Sequence, residues 1–312
     1  SSHFTLHELD SGIYAAIATD GGAAICNAGL IDLGGQVLVF DTFLTPQAAA
    51  DLCRSAVELF GHAPQLVINS HYHNDHIWGN QAFPEDTQII STARTRQLIV
   101  DEGGEELRYY AANAAAKLAD LRLQYDQAQD EAQRQGLSMW LGYYSGLVEA
   151  LPTLSVRLPN LTFTDRLTLH GSQRSAELLT FDGAHTQSDT VLHLPQAGIL
   201  FMSDLLFVGC HPYLADGDPL QLRQALEDAL CLDATRFVPG HGSLGAPDDL
   251  RLLIAYIDDC LHIAQQLTSQ GAVSDEQLAG LSVGERFAHW QLPQFFQANL
   301  RFMCQYVTSS AK

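Results

Sequence analysis

Residues 69–80, NSHYHNDHIWGN, gather three histidines and an aspartate within six positions: His71, His73, Asp75 and His76. The preceding apolar run QLVINS is typical of a buried strand, so these side chains are expected on a loop at the strand's carboxyl end. Imidazole and carboxylate groups bind borderline divalent ions. Alternate side chains of an extended segment point the same way, so His71 and His73 are predicted to bind one ion together. Asp75 and His76 follow the turn and are predicted to reach a second ion.

Three segments further along the chain supply more ligand-type side chains, each at the end of a strand-like run. LLTFDGAHTQSD contains His185, GILFMSDLLF contains Asp204, and RFVPGHGS contains His241 between two glycines that allow a tight turn. An ion needs about four ligands, and a catalytic site leaves one position for water. These three residues are therefore the candidates that complete the two metal sites.

The pattern of the whole chain is that of an α/β fold, or α+β by some schemes, in one domain over residues 1–312. Short strand-like runs alternate with turns in the first third and return after residue 150. Thr45 before Pro46 predicts the start of one helix, and Asp218 before Pro219 predicts another. The segment from about 247 to 312 is predicted to be mainly helical.

Residues 95–150 differ from the strand-rich segments on either side. Apolar residues recur there three and four positions apart, which is the spacing of amphipathic helices. Gly136 is predicted to separate two helices, and Pro152 to stop the second. The segment is therefore predicted to be a helical hairpin inserted into the sheet-forming chain.

Charge and composition exclude several classes of partner. The formal charge is −20, from 16 basic and 36 acidic residues, which argues against nucleic-acid binding. No apolar run reaches the roughly 18 residues that span a bilayer, so no membrane partner is expected. Six scattered cysteines without a CxxC pair, and an N-terminus unlike a signal peptide, predict a cytoplasmic protein. A signal segment removed earlier is the alternative to that prediction.

The strand-end Asp41, the HYHNDH segment, His185, Asp204 and the PGHG segment occur in an order that resembles the metallo-β-lactamase superfamily. The resemblance covers roughly residues 10–245 without the helical insert. It implies a four-layer αββα sandwich with the metals at the edge of two sheets. It also implies the following roles: His71, His73 and His185 on the first metal, Asp75, His76 and His241 on the second, Asp204 on both, and Asp41 ordering the metal loop. A simple loop cap is the alternative role for Asp41.

The reaction that this resemblance implies is metal-dependent hydrolysis of a small molecule. Two divalent ions, expected to be zinc with iron or manganese as alternatives, would share a hydroxide, with Asp75 and Asp204 as catalytic residues. An aspartate at position 204, where one class of lactamase has cysteine, favours an ester, thioester or lactone over a β-lactam. Three other functions stay open: a mononuclear iron sulfur dioxygenase, an RNA-processing nuclease that the charge disfavours, and a binding protein without turnover.

The substrate pocket is the least determined part of the sequence. His211 and Tyr213 follow Asp204 closely, and Trp140 and Tyr144 lie in the predicted insert. All four are candidates for contact with the substrate. The insert itself is predicted either to cover the metals or to form the contact between two copies of the chain.

Overall fold

The computed structural model describes residues 1–310, which form two β-sheets packed face to face. The first sheet has seven strands in chain order, antiparallel from β1 to β4 and parallel from β4 to β7. Its strands are β1 Phe4–Asp10, β2 Ile13–Ala18, β3 Ala28–Asp32, β4 Val37–Phe40, β5 Leu66–Ile68, β6 Gln88–Thr92 and β7 Leu161–Phe163.

The second sheet has five strands in the order β12-β11-β10-β9-β8. Strands β11 and β12 are parallel, and the other neighbouring pairs of the described strands are antiparallel. The strands are β8 Arg166–His170, β9 Ser175–Phe181, β10 Asp189–Leu194, β11 Ile199–Val208 and β12 Arg236–Gly242. Apolar side chains of both sheets, such as Phe40 and Phe201, fill the space between them.

Helices cover the outer faces of both sheets. They are α1 Pro46–Phe60, α2 Asn74–Ile77, α3 Ala93–Gln127, α4 Glu131–Ala150, α5 Pro219–Leu230, α6 Pro247–Ser269, α7 Asp275–Ala279 and α8 Gln294–Ser310. Three 3₁₀ turns lie at Trp78–Ala82, Pro195–Ala197 and Glu285–Phe287. One apolar cluster joins α1 to the first sheet and another joins α5, α6 and α8 to the second. The predicted four-layer αββα fold is therefore confirmed.

Local sequence explains where the helices begin. The Thr45 side chain accepts a hydrogen bond from the Ala48 amide, and Pro46 occupies the first turn of α1. Asp218 caps α5 in the same way, ahead of Pro219. Both predicted helix starts are confirmed. None of the described helices has the length and apolar character needed to cross a membrane.

The predicted hairpin is present as α3 and α4, but its turn is not at Gly136. The helices separate at residues 128–130, where the Asp130 side chain caps α4 by accepting a hydrogen bond from the Gln133 amide. Gly136 lies inside α4, because an N-cap aspartate directs a helix start more strongly than one glycine interrupts a helix. The predicted C-terminal helical segment corresponds to α6, α7 and α8, and residues 311–312 lie outside the described part.

Candidate metal centre

The HYHNDH segment begins three residues beyond strand β5, at the carboxyl edge of the first sheet. His71 lies in a bend after the strand, and His73, with φ −62° and ψ 144°, is the residue before helix α2. Asp75 and His76 lie within that helix, so they face a different direction. The backbone thus separates the ligand-type side chains into two pairs.

The first donor group contains His71, His73, His185 and Asp204, whose candidate ligand atoms all lie within 4.8 Å of one another. His185 Nε2 lies 3.2 Å from both His73 Nδ1 and Asp204 Oδ2. His71 Nε2 lies 4.0 Å from the same Asp204 oxygen. This is the nitrogen- and oxygen-donor set that a divalent transition metal prefers.

The second donor group contains Asp75, His76 and His241. Asp75 Oδ2 lies 3.4 Å from His241 Nε2 and 3.7 Å from His76 Nε2. The Cys26 thiol donates a hydrogen bond to the backbone oxygen of Asp75 and so helps to fix the backbone of this group. A second ion therefore has three side chains of the right chemistry beside the first group.

Asp204 lies between the two groups, with one carboxylate oxygen facing each. Oδ2 faces the first group, while Oδ1 lies 3.1 Å from His76 Nε2 and 3.4 Å from His241 Nε2. The residue was predicted at a strand end, but it lies inside β11. The strand changes register around Ser203, whose φ is 47°, and that irregularity turns Asp204 toward the site. Gly240 is required opposite, because any Cβ there would collide with Asp204 Oδ1.

Several buried atoms of the site have no hydrogen-bond partner among the described residues. They are His71 Nε2, His76 Nε2, His185 Nδ1 and Asp204 Oδ1. Burial, followed by the neighbouring His76 and His73, lowers the pKa of His71 well below its usual value, which keeps the imidazole neutral. Burial alone would raise the pKa of Asp204, but His241, His76 and His185 lower it well below its usual value. Neutral imidazole and ionised carboxylate are the forms that bind metal, so His71 and Asp204 fit a divalent ion. Burial alone would lower the pKa of His76, His185 and His241, but nearby acidic groups, Asp204 among them, raise each one above its usual value, so metal binding there must displace a proton.

Asp41 is fully buried and accepts four hydrogen bonds, each of 2.8 Å. The donors are the Ser70 amide and hydroxyl, the Ser203 hydroxyl and His76 Nδ1. The bond to Nδ1 leaves His76 Nε2 free for a metal. Sequence reasoning missed both serines, since a hydroxyl next to a ligand residue carries no recognisable pattern.

The match of a family model decides the classification. The model for the metallo-beta-lactamase superfamily matches residues 21–241, more than half of the chain. The chain belongs to this superfamily. Comparison with curated protein sequences gives no match.

Several solved structures share the fold. A metallo-beta-lactamase from Pontibacter korlensis has a TM-score of 0.60 at 15% identity, over 82% of this chain and 99% of that one. The FIM-1 metallo-beta-lactamase from Pseudomonas aeruginosa, in a mono-zinc form, has 0.57 at 13% identity, over 82% and 95%. A stereoselective inverting sec-alkylsulfatase from Pseudomonas sp. has 0.65 at 18% identity, over 97% of this chain and 50% of that one. At these identities the likeness shows the fold alone.

Asp216 is a second carboxylate that holds a candidate ligand histidine, as Asp41 does. Sequence reasoning missed it. Its Oδ2 accepts a hydrogen bond of 2.9 Å from His73 Nε2 and another of 3.3 Å from the Tyr72 hydroxyl. The bond fixes the His73 ring with Nδ1 toward the first donor group. No sequence spacing connects position 216 with position 73, so only the folded chain reveals the pair.

A cavity of about 370 Å³ opens onto both donor groups. Of the four predicted pocket residues, Trp140 and Tyr213 line it. Tyr144 does not. It packs among the rings of the hairpin, 5.1 Å from that of Tyr143, because it lies on the neighbouring helical position. The lining instead includes Tyr110, Tyr143 and Glu106, and burial raises the pKa of Glu106 to about 8.

His211 also lies outside this cavity, which corrects its prediction as a pocket residue. Its ring is buried against the C-terminal helices, with Nδ1 3.0 Å from the Tyr256 hydroxyl and the ring centre 5.5 Å from that of Trp290. The His211 side chain points toward the C-terminal helices, whereas Tyr213, two residues further on, lines the cavity. Proximity to Asp204 in sequence therefore does not place His211 near it.

His211 should make stability depend on pH. Burial lowers its pKa to about 4 from 6.5, so the folded state disfavours the charged ring. Its stabilising contribution is complete above pH 6.5 and is lost as the pH falls toward 4. We expect protonation of this residue alone to lower the free energy of unfolding by about 2 kcal/mol between pH 7.5 and pH 5. Urea unfolding of the wild type and His211→Gln from pH 7.5 to 5 tests this. Parallel pH curves for the two proteins would contradict it.

Proposed function

We propose that this chain is a hydrolase with two divalent metal ions, zinc by preference, that cleaves an ester, thioester or lactone. The observation that carries the proposal is the position of Asp204, with one oxygen facing each donor group. Such a carboxylate is arranged to hold two neighbouring ions. A site for one ion would need only one of the two groups.

In this proposal each ion takes the group that lies around it. His71, His73 and His185 would hold the first ion, and Asp75, His76 and His241 would hold the second. Asp204 would offer one carboxylate oxygen to each. When bound, the two ions supply an activated water molecule and polarise the substrate carbonyl. No serine or cysteine nucleophile is then needed.

The chain's own residues orient the reaction. Asp75 lines the cavity and belongs to the second group, so it is placed to orient the attacking water and to accept its proton. The Asp41 and Asp216 carboxylates hold the rings of His76 and His73.

Related predictions accompany this function. The cavity volume of about 370 Å³ is that of a site for a small molecule. A cytoplasmic location, one domain and the absence of nucleic-acid and membrane partners stay predictions. The same holds for a homodimer formed through α3 and α4. Among possible substrates, a β-lactam stays the less favoured one.

Metal content is the first test. We expect about two zinc ions per chain by elemental analysis of protein purified without added metal, and close to none in the double variant His71→Ala/Asp204→Ala. The matched control is His193→Gln, which changes a buried histidine of strand β10 away from the donor groups. One iron per chain without zinc would contradict the proposal and favour the sulfur dioxygenase.

Removing the metals should also destabilise the protein. Without ions, the buried atoms His71 Nε2, His76 Nε2 and Asp204 Oδ1 have no hydrogen-bond partner among the described residues. Since a tightly bound ion stabilises only the folded state, chelation is expected to lower the melting temperature by about 5–15 °C. Differential scanning calorimetry before and after chelation, with zinc added back, measures this. An unchanged melting temperature in protein shown to be metal-free would oppose the assignment.

Activity is then tested with a panel of esters, thioesters and lactones. A sec-alkyl sulfate is included because the Pseudomonas alkylsulfatase matches 97% of this chain in fold. Turnover of the carbonyl substrates that is lost on chelation and restored by zinc supports the proposal. Turnover of the sulfate alone would replace it, and no turnover with two zinc ions bound would favour a binding protein.

A further inference from the structure

Five aromatic rings form a continuous arc along one side of the cavity. In order around the cavity, they are Tyr110, Tyr143, Trp140, Phe295 and Tyr213, which we call the aromatic arc. Consecutive ring centres lie 5.7 to 6.1 Å apart. Three of the rings come from α3 and α4, one from α8, and one from the loop after β11. Two regions distant in sequence therefore build one surface.

A carboxylate lies at each end of the aromatic arc. At one end, Asn74 Nδ2 donates hydrogen bonds to Glu106 Oε1 at 2.7 Å and to the Tyr143 hydroxyl at 2.9 Å. At the other end, Asp216 is bound to His73, and the Tyr213 ring centre lies 6.5 Å from that of His73. Both carboxylates line the cavity, and among the cavity-lining residues that the structure describes neither has a lysine or arginine partner.

The lining has no positive side chain to complement these acids. Within residues 1–310, none of the residues that line this cavity is a lysine or an arginine. A carboxylate group on a substrate would find no basic side chain on this wall. An alkylated ammonium group would find aromatic rings, whose faces attract cations through their quadrupoles, and an acidic side chain at each end.

The donor groups show which end of a ligand faces the metal centre. His73, His185, Asp204 and His241 line the cavity, so the reacting group belongs beside them. The aromatic arc lines the same cavity with rings from the hairpin, from α8 and from the loop after β11. A substrate therefore has its carbonyl at Asp204 and its remaining part along the rings.

We propose that the substrate's acyl part carries a cationic, alkylated ammonium group that binds in the aromatic arc beside Glu106, and that anionic acyl groups are rejected. This inference rests on the proposed hydrolase function. It makes Glu106 a residue that determines specificity, and it follows from the arrangement of rings and charges in this chain.

Binding is tested with a pair of probes of equal shape, independently of turnover. Choline and 3,3-dimethylbutan-1-ol differ only by nitrogen in place of carbon. Calorimetric titration of metal-loaded protein is run at pH 8.5, because burial raises the pKa of Glu106 to about 8. We expect choline to bind about 10-fold more tightly than the alcohol.

The variant Glu106→Gln should reduce that preference to less than about 2-fold. The matched control is Glu105→Gln, which removes the same charge from the exposed neighbouring position and should keep the preference. Equal affinities of the two probes for the wild type would overturn the proposal. The proposal would also be overturned if the preference for choline survived in Glu106→Gln or disappeared in Glu105→Gln. Either result would assign the preference to the general negative charge of the protein.

Turnover is tested with three phenyl esters: 4-(trimethylammonio)butanoate, 5,5-dimethylhexanoate and the monoester of glutarate. We expect kcat/KM to fall from the cationic to the neutral to the anionic ester, with the cationic-to-neutral ratio about 10 in the wild type and near 1 in Glu106→Gln. Equal cleavage of all three would overturn this inference alone. Failure to cleave any of them, with Glu106-dependent choline binding intact, would overturn the hydrolase function and leave the cation site.

Discussion

Replacing Asp204 with asparagine is expected to lower the metal content from two ions per chain to one or fewer. The kcat/KM of the proposed hydrolysis should fall about 10³-fold. Asparagine has the same shape, but its amide nitrogen donates hydrogen bonds and cannot bind a cation. Only one side of the residue would then offer an oxygen. Because Asp204 Oδ2 faces the first donor group and Oδ1 the second, one of the two ions must lose a ligand.

The measurement combines elemental analysis with steady-state kinetics on the same preparation. Asp182→Asn is the matched control, because it makes the same change at an exposed residue beyond strand β9. Circular dichroism separates loss of metal from loss of fold. An Asp204→Asn protein that keeps two ions and more than about a tenth of its activity would show that Asp204 is not shared between two ions.

The donor groups could be predicted from the sequence because each ligand follows a recognisable local pattern. His71 and His73 alternate after a buried strand, and His241 lies between glycines that the site requires. Of the two carboxylates that hold these ligands, Asp41 was expected from the family resemblance, whereas Asp216 could not be predicted. Asp216 lies 143 residues from His73 in the chain, and neither residue's neighbours indicate the pairing.

The layers of the fold could be predicted from the sequence. Which of two neighbouring helical residues lines the cavity could not. Periodicity placed Trp140 and Tyr144 on one face of α4, yet only Trp140 reaches the cavity. The structure shows that the cavity meets the adjacent position, Tyr143, because α4 crosses the metal loop beside Asn74. Helical spacing shows which residues are buried, whereas the packing angle decides which of them meet a ligand.

The C-terminal segment shows the same limit. Phe295 on α8 contacts both Trp140 and Tyr213, and so completes the wall of the cavity from a part of the chain beyond the family match. Its apolar pattern predicted a helix, which is correct. Nothing in that pattern connects residue 295 to residue 140, since contacts between distant helices depend on the whole fold.

Replacing Asp41 with alanine is expected to destabilise the metal-free protein by about 3–5 kcal/mol and to weaken zinc binding about 10- to 100-fold. The substitution leaves the Ser70 and Ser203 hydroxyls and His76 Nδ1 without their buried acceptor. The His76 ring would then be free to rotate or to change tautomer. Asp41→Asn should cost less, because its amide oxygen can still accept from Ser70.

Backbone strain must be separated from these lost hydrogen bonds, because Asp41 has a φ of 60° and alanine disfavours that region. Asp165 supplies the control, since it is an aspartate with φ 46° whose side chain is exposed. Asp165→Ala should cost about 1 kcal/mol from the backbone alone. Urea unfolding of chelated protein gives both free energies, and competition with a zinc chelator gives the affinities. If Asp41→Ala costs no more than Asp165→Ala and zinc binding is unchanged, Asp41 only caps its own loop. A difference of several kcal/mol with weakened zinc binding would show that this carboxylate orders the metal centre through His76.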